Sequence, residues 1–153
     1  MYQEYREIYI GREIKIYSIC LEKNASYLFR VELLQKNEYG LDLGFSGVGL
    51  FVVDFPEIEK YCILLEKMYE TLKGECTIQD HEFGNIIKLY FVGRNLKING
   101  RLYDGTNTFL FGQYGGGSDD DGVNIDQTII PQIISVLKSD NKSCNRTQFR
   151  PDI

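Results

Sequence analysis

The chain has 153 residues, of which 43% are hydrophobic and 25% charged, and its formal net charge is −5. Its length suits one domain with a sizeable core, and its composition is that of a soluble globular protein. The negative charge argues against general nucleic-acid binding, which depends on neutralising backbone phosphates. The opening residues, MYQEYREIYIGREIKIY, contain no apolar run long enough for a signal sequence or a membrane span. We therefore expect a cytoplasmic protein.

The first part of the chain has the alternating pattern of β-strands. Isoleucines alternate with polar residues at Ile8, Ile10, Ile14 and Ile16. The segment YLFRVELLQ follows, and YGLDLGFSGVGLFVVDF then ends in a continuous apolar run that is typical of a central strand. Three glycines of that segment predict bulges or the close approach of another backbone, and they are Gly44, Gly47 and Gly49.

A first helix is predicted over residues 56–73. Pro56 suits a first helical turn, Asp54 and Glu57 suit its positive end, and Gly74 is a common residue just past a helix. Its apolar residues recur at spacings of three and four, so we expect them to form one stripe facing the core. They are Ile58, Tyr61, Cys62, Leu65, Met68, Tyr69 and Leu72.

Strands return after this helix, in ECTIQD, GNIIKLYFVG, NLKINGRLY and NTFLFGQYG, with DGTN as a hairpin turn. A second helix is predicted over 128–138, with Asp126 or Thr128 at its cap. Its apolar face comprises Ile130, Ile133, Ile134 and Leu137. The order predicts a single α+β domain over residues 1–140, with a largely antiparallel sheet and two main helices. Residues 141–153 lack periodicity and are expected to be a loosely ordered tail.

The cysteines are widely spaced and include no CxxC pair. In a chain without an export signal, we interpret them as reduced thiols that lie mostly in the core. They are Cys20, Cys62, Cys76 and Cys144.

The negative charge is concentrated in one segment. From Leu102 to Leu137 there is no Lys, Arg or His, and the segment carries −5. The residues before it carry −2 (13 basic, 15 acidic), and those after it carry +2 (four basic, two acidic). Its acids are Asp104, Asp119, Asp120, Asp121 and Asp126. A local charge of this kind can steer an oppositely charged partner.

Part of this segment, GGGSDDDGVNID at 115–126, departs from the patterns of two kinds of ion site. With Gly122 at position 6 of an EF-hand loop, Asp119 and Asp121 occupy positions 3 and 5. Gly117 and Thr128 then stand at positions 1 and 12, where ligands are needed. A phosphate cradle needs a balancing lysine, and three carboxylates would repel phosphate. No metal or cofactor is expected. A small-ligand or calcium-binding module that uses Asp119–Asp121 in another geometry is the alternative.

Catalysis has few candidate residues. His81 is the only histidine and is flanked by Asp80 and Glu82, but neighbours along a strand point to opposite faces. A Cys–His nucleophile requires a thiol close to His81, which sequence does not show. GFSGVG at 44–49 misses both the GxGxxG fingerprint and the GxSxG elbow. We expect a protein without enzymatic activity.

Three segments resemble, in order, the WapI-type immunity proteins of bacterial polymorphic toxin systems. They are FPEIEKYCILLEKMYETLKGE, NIIKLYFVGRNLKINGRLYDGTNTFLFGQYG and DQTIIPQIISVLK, and GGGSDDDGVNI is an enlargement ahead of the last. The resemblance implies stoichiometric inhibition of a cognate toxin C-terminal domain, and it implies that this domain is a nuclease with a basic cleft.

An acidic loop could occupy such a cleft as a phosphate mimic. The candidate partner-binding residues are Asp119, Asp120, Asp121 and Asp126, with Tyr114 as an aromatic anchor. The other interpretation of this loop is a solvated turn without a role.

Overall fold

Two antiparallel β-sheets and two α-helices make up the described part of the chain, which confirms the α+β class. The sequence predicted one largely antiparallel sheet, whereas the strands divide between two. This computed structural model describes residues 7–10, 13–18, 27–36, 39, 42–115 and 122–138. The predicted tail at 141–153 lies outside these residues.

The first sheet has the strand order β1-β2-β3-β4, and each strand pairs with the next along the chain. Its strands are β1 (Glu7–Ile10), β2 (Ile14–Ser18), β3 (Tyr27–Lys36) and β4 (Asp42–Val53). The alternating isoleucines of β1 and β2 are buried, as their period of two predicts. Phe29 of β3 stacks on Phe51 of β4, with ring centroids 4.7 Å apart. This apolar side of the sheet faces the core.

The second sheet has the order β5-β6-β7-β8, and a further short strand, β9, pairs with β7. Its strands are β5 (Glu75–Gln79), β6 (Ile86–Val92), β7 (Asn95–Tyr103), β8 (Thr108–Phe111) and β9 (Val123–Ile125). The DGTN sequence forms the predicted hairpin turn between β7 and β8. Its Asp104 accepts backbone N–H bonds from Asn107 (2.7 Å) and Thr106 (2.8 Å), which lower the pKa of that carboxyl.

The helices are α1 (Phe55–Thr71) and α2 (Ile129–Leu137), each within two residues of its predicted bounds. They pack on each other, while α1 also packs on β5 and α2 on β1 and β2. The predicted core stripe of α1 is wrong at Tyr69, which is 39% exposed because it lies to one side of the buried row. The buried residues of α1 are Ile58, Cys62, Leu65 and Met68. In the part of the chain described here, neither helix has the length and apolar character needed to cross a bilayer.

Asn85, the last residue of the β5–β6 loop, joins the two sheets from a fully buried position. Its side-chain amide donates to the carbonyl of Leu50 in β4 at 2.9 Å. Its amide oxygen accepts the backbone N–H of Tyr103 in β7 at 2.6 Å. One side chain therefore satisfies a backbone group in each sheet, as burial of those groups requires.

The close approach predicted from the β4 glycines occurs where the sheets meet. A Cβ on Gly49 would lie 2.6 Å from Oδ1 of Asn85, and a Cβ on Gly47 would lie 2.7 Å from Cγ of Phe109. Gly44 instead has φ +99°, a left-handed conformation that favours glycine. The register between β3 and β4 also shifts near this end of β4, which agrees with the predicted bulge.

Candidate partner-binding surface

Residues 112–122, which we call the acidic excursion, interrupt a strand at the edge of the second sheet. β8 ends with Phe111 paired to Gly100 of β7, and β9 begins with Val123 paired to Ile98. Both strands run antiparallel to β7 along the same side of it, so they lie end to end. Only Asn99 lies between the partners of Phe111 and Val123 on β7, so a continuous strand would need one residue there. The chain instead has eleven residues, 112–122, between the two strands. The side-chain alternation agrees, because Phe111 and Val123 both pack against the core.

The chain leaves the sheet at a turn that requires glycine. Gly112 has φ +64°, and a Cβ there would lie 2.5 Å from the carbonyl oxygen of Ile98. Gln113 (φ 59°) and Gly115 (φ +76°) are also left-handed. These conformations turn the backbone sharply away from β7. Tyr114, predicted as an aromatic anchor, lies in this turn and is half-buried.

The chain returns to the sheet beside a buried lysine. Lys97 of β7 is 7% exposed, and its ammonium donates to Oδ1 of Asn124 at 2.8 Å and to the carbonyl of Gly122 at 3.5 Å. Gly122 packs so closely against the Tyr90 hydroxyl that a Cβ could not fit without a shift. Lys97 and Tyr90 therefore fix the end of the excursion on the outer face of the sheet.

The predicted partner-binding aspartates have different positions. Asp119, Asp120 and Asp121 lie outside the described residues. Asp126 is exposed just before α2, where its Oδ1 accepts the backbone N–H and the hydroxyl of Thr128, both at 2.8 Å. The N–H bond and then the hydroxyl bond lower the pKa of Asp126. The sequence predicted Asp126 or Thr128 at the cap of α2, and the N-cap residue is Thr128, whose own side chain makes no capping hydrogen bond. Asp126 lies two residues before it and binds Thr128.

Asp126 also lines a shallow polar cleft of about 380 Å³ between the β6–β7 turn and the start of α2. Arg94 is the cationic residue of the cleft, and amide side chains provide most of its other polar groups. The remaining lining residues are Asn95, Leu96, Asn124, Ile125, Gln127 and Thr128. The sequence did not predict this cleft, because it brings together two segments, 94–96 and 124–128, that only the pairing of β9 with β7 makes adjacent.

The histidine of the enzyme alternative is paired with Glu57, which the sequence placed at the start of the first helix but did not connect with His81. His81 Nε2 lies 2.9 Å from Oε1 of Glu57, at the start of α1, and both side chains are partly exposed. Tyr61, one turn later on α1, donates to the other Glu57 oxygen at 3.4 Å. The flanking Asp80 is buried and accepts three backbone N–H bonds of its own loop. Asp80 therefore shapes the loop and does not orient His81.

The two described thiols are poor nucleophiles in this fold. Cys62 and Cys76 are free and buried. Burial raises the pKa of Cys62, and it raises the pKa of Cys76 to about 12. Since the thiolate is the reactive form, both are held in the unreactive state. Cys20 and Cys144 lie outside the described residues.

Within the described ranges, no three His, Cys, Asp or Glu side chains are grouped so that they could hold a metal ion. The calcium alternative depends on Asp119–Asp121, which are not among those ranges. Comparison of the chain with protein-family models, with curated proteins and with solved structures gave no match.

Proposed function

We propose that this chain is an immunity protein that binds and neutralises a cognate bacterial toxin domain through an acidic surface, without turnover. The resemblance of three segments to WapI-type immunity proteins motivates the proposal. The toxin domain is proposed to be a nuclease, whose phosphate-binding cleft is basic. Such an immunity protein acts in the cytoplasm, where it protects the cell that makes the toxin.

The observation that carries the proposal is the acidic excursion between β8 and β9. The segment Leu102–Leu137 has five aspartates and no basic residue, and the excursion carries three of them. Both of its ends are fixed on β7, by the turn at Gly112 and by the Lys97 contacts with Gly122 and Asn124. Fixed ends reduce the conformational entropy that binding costs, and concentrated negative charge accelerates association with a basic protein.

The groups that an enzyme alternative would need have other roles in the fold. Cys62 and Cys76 pack in the core with raised pKa values, and His81 pairs with Glu57 at the surface. These roles favour recognition over catalysis. His81 is remote in sequence from the three aspartates, so substitutions at His81 and at the aspartates test catalysis and binding separately.

The proposal is tested with the C-terminal domain encoded by the reading frame immediately upstream. The two proteins are co-expressed and co-purified at low and high salt, and cell survival is scored in parallel. We expect a tight complex that salt weakens, together with survival of the cells. Both are expected to be lost when Asp119, Asp120 and Asp121 are changed to Asn.

A matched variant controls for net charge, because it also removes three acids but from exposed positions elsewhere. Its changes are Glu59→Gln, Glu70→Gln and Glu75→Gln. We expect it to bind and protect like the wild type. Binding that is insensitive to the aspartate changes would retain immunity but refute the acidic surface. Absence of any complex would refute the proposal, and calcium titration would then test the binding-module alternative.

A further inference from the structure

Three large apolar side chains are exposed at one corner of the second sheet. They are Phe83 (43% exposed), Tyr103 (37%) and Leu110 (58%). Leu110 of β8 pairs directly with Arg101 of β7, so these two side chains are neighbours on the same face. Tyr103 lies two residues further along β7 and therefore on that face as well. We call these three residues, grouped around Arg101, the apolar corner.

Hydrogen bonds fix the β5–β6 loop beside this face. The Arg101 guanidinium donates to the carbonyl of Gly84 at 2.9 Å, and Gly84 follows Phe83 directly in the chain. The buried Asn85 then accepts the backbone N–H of Tyr103. The side chains of Arg101 and Asn85 thus fix the two residues that follow Phe83 in the chain, and the Phe83 ring stays partly exposed.

The apolar corner adjoins the point at which the acidic excursion leaves the sheet. Leu110 precedes Phe111, the last residue of β8, and the chain leaves the sheet immediately afterwards. Two further acids lie nearby in the chain, namely Asp104, in the β7–β8 turn, and Glu82, beside Phe83, and both are exposed. A protein that approaches Asp104 and Glu82 with a basic surface would therefore meet the corner at the same time.

We propose that the apolar corner is the hydrophobic anchor of the interface that binds the basic partner, an inference that rests on the proposed function. The partner is a protein with a cationic cleft bordered by an apolar surface. Aromatic residues and arginine are enriched at protein interfaces, and a few such residues carry most of the binding energy. The acidic segment guides association through charge, and the corner supplies apolar contact that slows dissociation.

The test compares Leu110→Ser with Ile63→Ser. Ile63 is 67% exposed on α1, so it is a matched exposed aliphatic residue. Dissociation constants are measured by calorimetry with the purified domain encoded upstream, at low and high salt. We expect Leu110→Ser to raise Kd about tenfold or more, which corresponds to about 1.4 kcal/mol. The increase should persist at high salt, because screening acts on charges and not on apolar contact.

Ile63→Ser is expected to bind like the wild type, and unchanged thermal unfolding of both variants would establish that they are folded. A second measurement needs no substitution: binding should slow hydrogen exchange in 101–111 and leave exchange in α1 unchanged. Wild-type binding that ignores Leu110→Ser, or that falls equally in Ile63→Ser, overturns this inference and leaves the proposed function standing. Absence of binding by the wild type overturns both.

Discussion

Replacing Asn85 with alanine tests how the two sheets are held together. The substitution removes the bonds to the Leu50 carbonyl (2.9 Å) and the Tyr103 N–H (2.6 Å) at a site that is 0% exposed. Each buried backbone group left unsatisfied costs about 1–3 kcal/mol. Water that enters the vacated space would recover part of this, so we expect the free energy of unfolding to fall by about 3 kcal/mol.

Urea unfolding followed by circular dichroism measures this change. The midpoint should fall while the slope stays constant, because the surface exposed on unfolding is nearly unchanged. For a domain of this size, a loss of about 3 kcal/mol lowers Tm by roughly 6–12 °C. Asn107→Ala, in the exposed β7–β8 turn, is the matched control and should stay within about 0.5 kcal/mol of the wild type. A loss below about 1 kcal/mol for Asn85→Ala would refute the role of this side chain as the bridge.

Three other predictions concern a glycine, a thiol and a carboxylate. Gly49→Ala should destabilise the protein by about 1–3 kcal/mol, because its Cβ would lie 2.6 Å from the Asn85 amide oxygen. The double variant with Asn85→Ala should lose less stability than the two single variants together, and additive losses in urea unfolding would contradict contact between the two residues. Burial raises the pKa of Cys76 to about 12 from its ordinary 9.0, so the thiol loses its proton at lower pH in the unfolded chain than in the folded protein. The free energy of unfolding should therefore fall by about 1.4 kcal/mol per pH unit between pH 9 and 12. Cys76→Ala should remove that part of the pH dependence, and an unchanged pH dependence would contradict burial of the thiol. Asp126→Ala should lower Tm because it removes both bonds to Thr128, whereas Asp126→Asn keeps the acceptor oxygen and should lower Tm less. An equal fall in Tm for the two variants would show that the charge, not the hydrogen bonds, supports the start of α2.

The local pattern of apolar residues predicted most of the fold. Ile8, Ile10, Ile14 and Ile16 are buried as their alternation required, and both helices lie within two residues of their predicted bounds. Burial and periodicity are local properties, so the sequence displays them directly. The division into two sheets depends on long-range pairing, and the alternation of single strands does not encode which strands pair. Asn85 illustrates the limit, because nothing in the neighbouring sequence distinguishes this buried residue from an exposed loop asparagine.

The candidate surface was predictable in charge but not in geometry. The run of aspartates is visible in the sequence, and so is the start of α2 near Asp126 and Thr128. The position of this run between two strands that lie end to end required the register of both β8 and β9 on β7. The exposed apolar residues beside it were missed for a similar reason. Tyr103 and Leu110 belong to separate strands, and the sequence pattern alone suggested Tyr114 as the anchor.

The end-to-end arrangement of β8 and β9 bears on how this protein can change over time. Insertions or deletions between Gly112 and Gly122 need not alter the register of either strand, because the chain rejoins β7 two positions from where it left. The residues between these two glycines can therefore vary in length and sequence while the pairing of the sheet stays the same. An inhibitor whose target diversifies would benefit from such a replaceable part. A chain in which one residue replaces 112–122 should keep a continuous edge strand and the same core, and it would provide a scaffold on which loops of new specificity could be selected.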